Sequence, residues 1–164
     1  MAILKIYEST SPVLRHKAKP VRKVDDAIRK LAADMLETMR EAPGVGLAGP
    51  QIGRAARIIV VEYDDDEFSL INPTITWSSK ETAMAEEGCL SIPTLYGDVE
   101  RALEVRLTAT DMRNKRVVIE ADDWLARIFQ HEIDHLDGIL FTDRMAPGAP
   151  LRTVSANADS DEEI

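Results

Sequence analysis

The sequence predicts an α+β fold in which a largely antiparallel sheet packs around a central helix carrying a metal-binding pattern. Three observations predict it. Runs rich in β-branched and apolar residues at 57–62, 68–76 and 104–121 read as strands, the first two neighbours across an acidic turn and the last a hairpin, which favours antiparallel pairing. One helical pattern precedes them and another follows. The second helix contains His131-Glu132-Ile133-Asp134-His135, two imidazoles one turn apart on the same face with a carboxylate beside them.

Each element has a local cause. Asp25 is placed to cap a helix over 26–41, whose buried stripe is Ile28, Leu31, Met35 and Met39. Pro43 and Gly44 end it. The run 57–62 reads as a strand, with 68–72 its neighbour across the acidic turn Asp64, Asp65, Asp66 and Glu67. A hairpin is expected over 104–111 and 116–121, with Asn114 tolerating left-handed geometry in its loop. Asp122 caps the last helix and Gly138 stops it. Residues 1–146 are expected to form a single domain carrying the histidine motif, and 147–164 read as a flexible, acidic tail broken by Pro147, Gly148 and Pro150.

The histidine helix is the pattern of metal-assisted hydrolysis, in which Glu132 handles the proton of a water. A catalytic metal with an open position takes three protein ligands, so one donor is wanted beyond His131 and His135. Cys89, the chain's one cysteine, lies in Glu87-Gly88-Cys89-Leu90-Ser91, where Gly88 permits close backbone approach. Alone, such a cysteine reads as a small buried hydrophobe; beside this helix it reads as the third ligand. A further segment, 43–53, is dense in glycine and proline but lacks the ending of a phosphate loop. Its alternating apolar residues suit an extended wall against a peptide backbone, with Gln51 presenting one amide to a carbonyl. The plain alternative is a glycine-rich turn.

Taken in order, Gly44-Val45-Gly46-Leu47-Ala48-Gly49-Pro50-Gln51, Glu87 to Ser91, and Gln130 to His135 resemble the three motifs of the peptide deformylases. Leu136-Asp137-Gly138 and Leu140-Phe141 extend the resemblance, which runs from about Ile3 to Met145. The departure is Gly49, where the family usually has alanine, and a looser loop is expected there. The resemblance implies a hydrolase that removes the formyl group from N-formyl-methionyl nascent peptides and releases formate. It implies Cys89, His131 and His135 as metal ligands, Glu132 as general base and then acid, and the Gln51 amide and Leu90 N–H as oxyanion donors. Val45, Gly46, Gly88, Trp124, Arg127 and Ile128 are the expected substrate contacts. Trp124, Ile128, His131 and His135 share one helix face at 4, 3 and 4 spacing, which reads equally as a core stripe. Donor chemistry alone suggests zinc; the resemblance implies Fe2+, with Zn2+, Ni2+ or Co2+ able to replace it. Glu87 is expected to pair with an arginine, Arg101 being the candidate, and His16 to lie on the surface.

Composition bounds the remaining readings. A net charge of −9 gives no sign of DNA binding. A basic stretch of Arg15, Lys17, Lys19, Arg22, Lys23, Arg29 and Lys30 reads first as a solvated face; the nascent-chain substrates that the resemblance implies make a surface for transient association with the ribosome the second reading. The acidic tail argues against docking through the C-terminus. No apolar stretch is long enough to span a membrane, the N-terminus lacks a signal-peptide layout, and a single cysteine suits a reducing compartment, so the expected location is cytoplasmic. A zinc endopeptidase would need a further ligand downstream, yet no histidine or cysteine follows His135. An inactive ribosome-bound homologue would have no chemical need for Gln51, Cys89, Glu132 and both histidines together.

Overall fold

Two layers of core, one on each face of a twisted sheet, set the architecture. The structure is a computed structural model and describes residues 2–156. Helix α1 spans Asp26–Glu41, and the Asp25 carboxylate accepts the Ile28 N–H at 2.9 Å, which satisfies one of the orphan donors of its first turn. Strands β1 (Gly46–Ala48), β2 (Ile58–Tyr63), β3 (Asp66–Ser78), β6 (Glu104–Thr110) and β7 (Arg116–Asp122) form one antiparallel sheet in the order β1-β2-β3-β6-β7. Strands β4 (Thr82–Cys89) and β5 (Ile92–Ala102) form a separate two-stranded sheet. Helix α2 is Asp123–Leu136 and the short α3 is Phe141–Arg144.

Strand alternation sorts the side chains. Ile59, Val61, Leu70, Val105, Leu107 and Ala109 face α2, where Ile128, Phe129 and Leu136 fill the layer. Ile58, Val60 and Ile71 face the opposite way and pack on Leu31, Met35 and Met39 of α1. The β4–β5 hairpin has its own cluster of Cys89, Ile92 and Val99 against Leu140 and Phe141. The Asp64 and Asp65 pair, both at positive φ, closes the β2–β3 hairpin between Tyr63 and Asp66, so the expected acidic turn is there. Asn114 is left-handed, φ 60°, in the β6–β7 loop, and its amide also ties that loop to the N-terminal segment through Val24.

Some expectations need correction. Asp122 stands at the N-cap position of α2, but its side chain makes no capping bond. The glycine-rich segment is not one extended wall: β1 covers three residues and a 3-10 turn, Gly49–Ile52, follows. Nor does Gly49 loosen it, because a Cβ there would stand 2.4 Å from the Ala56 carbonyl oxygen. The loop is tight at that point and glycine is what fits. Part of the tail is strapped down: Arg152 pairs with Glu86 and Asp98, and its backbone bridges Tyr96. The acidic run at 158–164 lies outside the described residues. Among the described residues no helix is long and apolar enough to cross a membrane.

Candidate active site

Three elements of different origin meet at one point. β4 ends at Cys89, 1% exposed; α2 supplies His131, Glu132 and His135; and the turn after β1 supplies Gln51. The Cys89 sulfur and one nitrogen from each histidine lie within 4.8 Å of one another. Cys89 Sγ is 3.4 Å from His135 Nε2 and 3.6 Å from Gln51 Nε2.

A metal fits these residues on two grounds. His131 Nε2 and both Glu132 carboxylate oxygens are buried without a hydrogen-bond partner, an arrangement that costs stability unless something else satisfies it. His131 Nδ1 is 2.8 Å from Glu87 Oε1, so that nitrogen carries the proton and Nε2 keeps its lone pair for a cation. His135 is pushed the same way: burial, then the neighbouring His131, lowers its affinity for protons and keeps it a neutral ligand. For Glu132, burial and then the charge of Glu87 raise the carboxyl well above its usual range.

Glu87 organises the support. All its lone-pair positions are taken: Arg101 bonds both oxygens at 2.9 Å, Arg127 bonds Oε2 at 2.7 Å, and His131 takes Oε1. Burial pushes this carboxyl up, but the hydrogen bonds from Arg101 and His131 outweigh it and hold Glu87 far below the ordinary value of 4.5. A folded-state value below the unfolded one makes its stabilising effect full above about pH 4.5 and progressively lost as the pH falls below that. Arg101 continues to Asp134 at 2.6 Å, and Arg144 closes the web on the same carboxylate.

The other expected residues distribute unevenly. Val45 is buried, and Gly46 lies against the base: a Cβ on it would stand 2.4 Å from Glu132 Oε2. Gly88 is equally constrained, by the Tyr96 ring at 2.8 Å from the position of a Cβ. Leu90 and Ser91 form the turn between β4 and β5. Trp124 is partly buried and Ile128 wholly buried in the α2 layer. Arg127 does not present itself to a substrate: its guanidinium is spent on Glu87 and the carbonyls of Val99 and Ala83. His16 is exposed. Sequence reasoning missed Ser91, Asp134 and Arg144; only the place of Ser91 and Asp134 inside the motifs hinted at them.

A family profile described as polypeptide deformylase matches residues 3–150. The chain belongs to the peptide deformylase family. It is 51% identical to a peptide deformylase of Symbiobacterium thermophilum over 99% of this chain and 75% of that one. It is also 51% identical to a peptide deformylase of Natranaerobius thermophilus, over 88% and 93% of the two chains. Among solved structures, the peptide deformylase of Thermotoga maritima superposes with a TM-score of 0.87 at 40% identity, covering 90% of this chain and 100% of the other. The peptide deformylase of Thermus thermophilus gives 0.85 at 46% identity, covering 88% and 87%. As a peptide deformylase the chain is a hydrolase that removes the formyl group from nascent peptides, and a metalloenzyme whose candidate ligands are Cys89, His131 and His135.

Proposed function

We propose that the chain deformylates N-formyl-methionyl peptides with Glu132 as the proton carrier and Gln51 with Leu90 as oxyanion donors. The convergence of Gln51, Cys89, His131, Glu132 and His135 from three separate segments carries this reading. Cys89, His131 and His135 would hold a divalent cation, Fe2+ in our reading with Zn2+, Ni2+ or Co2+ as substitutes, which supplies Lewis acidity to the water and the formyl oxygen. Glu132 takes a proton from the attacking water and returns it to the departing amine nitrogen. Its buried, partnerless carboxyl, with a raised proton affinity, suits both duties. The Gln51 amide and the Leu90 N–H donate to the formyl oxygen as it gains charge. Water adds, the C–N bond breaks, and formate and a free amine leave.

β1 is an edge strand, paired on one side only, with β2. The peptide backbone runs along its open side past Val45 and Gly46, in the manner of an added strand. Gly88, Trp124 and Ile128 complete the surroundings of the methionine side chain, for which a partly apolar enclosure suits a flexible thioether. We assign residues 1–146 to the catalytic domain and place the protein in the cytoplasm, where a reduced thiol beside ferrous iron persists. Transient ribosome association falls to the basic stretch. Lys17, Lys19, Arg22 and Lys23 are exposed, Lys19 bridges to Ala56 beside exposed Arg54, and Val24 is tied to Asn114 between exposed Arg113 and Lys115.

Formate release from formyl-Met-Ala-Ser by anaerobically purified, Fe2+-loaded protein tests the reaction. Formate is the expected product; none from folded, metal-loaded chain would turn the reading toward another amide. Gln51→Leu is expected to lower kcat by roughly 10²-fold, the scale of one lost oxyanion donor; a change confined to KM would make Gln51 a binding residue instead. Cys89→Ala is expected to come through purification without metal, as elemental analysis reads it. Full occupancy in that variant would remove Cys89 from the ligand set.

A further inference from the structure

An oxyanion donor works only if its N–H is aimed before the charge develops, so the holding of the Gln51 amide is itself a functional question. Gln51 is completely buried and both ends of its amide are engaged. Its Oε1 accepts the Ala48 N–H at 3.0 Å. Its Nε2 donates to the Ser91 hydroxyl at 3.1 Å and faces the Cys89 sulfur at 3.6 Å. Flipping the amide would set its NH2 against the Ala48 N–H and its carbonyl against the sulfur, so one orientation is fixed. Of the two Nε2 hydrogens, one is held by Ser91 and the other points to the Cys89 sulfur, toward the three candidate metal ligands.

Ser91, also completely buried, sits on the two-residue turn that carries Leu90. A single hydrogen bond therefore joins the Gln51 amide to the turn that carries the other proposed donor. The N-terminal segment locks the pair from outside. Tyr7 N–H bonds the Gln51 carbonyl at 2.7 Å, and Ser9 N–H bonds the Ser91 carbonyl at 2.8 Å. The two donors are only two residues apart, so one short strap spans both loops. The Tyr7 ring lies against Gly53, where a Cβ would come within 2.6 Å of it.

We infer that Ser91 is the positioning residue of the oxyanion site: its hydroxyl, clasped through Ser9, aims the Gln51 amide in register with the Leu90 N–H. This rests on the donor role proposed for Gln51. Ser91→Ala is expected to lower kcat about tenfold, the scale of one hydrogen bond to a positioned group, with KM within about twofold and metal content unchanged. In a Gln51→Leu background the same substitution is expected to cost less than about twofold, because nothing remains to aim. Wild-type kcat in Ser91→Ala, or the full tenfold loss persisting on Gln51→Leu, overturns the inference. An unchanged kcat in Gln51→Leu alone is a different failure, that of the donor assignment. Should Ser91→Ala not fold, Ser9→Pro, which removes the strap's donor and also fixes the backbone at residue 9, carries the test with Ser9→Ala as its control: a fall in kcat at constant KM in the proline variant alone supports the clasp, and an unchanged kcat overturns it.

Discussion

Glu132→Gln is expected to keep its metal and its fold and to lose 10²- to 10⁴-fold in kcat, the usual span for removing a general acid–base group. The amide is nearly isosteric with the carboxyl it replaces, and neither carboxylate oxygen has a protein partner to lose. Burial already favours an uncharged side chain at this position, so the thermal midpoint should stay level or rise. Metal content by elemental analysis and formate release from formyl-Met-Ala-Ser read the two halves separately. Turnover near wild type in a fully loaded variant would mean that some other group moves the proton.

Glu87→Ala is expected to be the most destabilising single change near the site. It leaves Arg101 and Arg127, each 5% exposed or less, without the carboxylate that compensates their burial. Removing one partner of a buried ion pair costs about 3–5 kcal/mol, and for a domain of this size that lowers the melting temperature by roughly 10 °C. It also strips His131 of the acceptor that fixes its tautomer, for which a 10- to 100-fold loss of metal affinity is the usual scale. Chemical denaturation of metal-free protein isolates the first effect. A loss under about 1 kcal/mol there would show that Asp134 alone can hold Arg101 and that Glu87 matters chiefly to the histidine.

Which parts of this were readable in the sequence follows from how local their causes are. Helix α1 was bounded correctly because Asp25 and Pro43 act within a turn of its ends. The β6–β7 hairpin declared itself through alternation and Asn114. The β4–β5 hairpin did not. Ala83, Met84, Ala85, Glu86 and Glu87 carry no β-branched residue, and β5 is interrupted by Pro93 and Gly97. Those strands hold together through pairing with each other and through Phe141 and Leu140 beneath them, which only tertiary structure reveals. The same divide runs through the site. Ligand spacing on α2 is local and was legible. Arg127 looked like a wall of the methionine pocket because helix position cannot say that Glu87, forty residues earlier, will claim its guanidinium. Ser91 likewise gains its meaning only when the turn beyond β1 folds against it.

The solitary cysteine offers a handle of another kind. Cys89 is 1% exposed, beside Gln51 and His135, and the chain has no second sulfhydryl to compete for a dye. The pace of alkylation on native protein is therefore a clock for the opening of that one corner. Total uptake after denaturation counts the chains whose sulfur has escaped oxidation. A preparation's share of intact centres can be read this way without a single turnover.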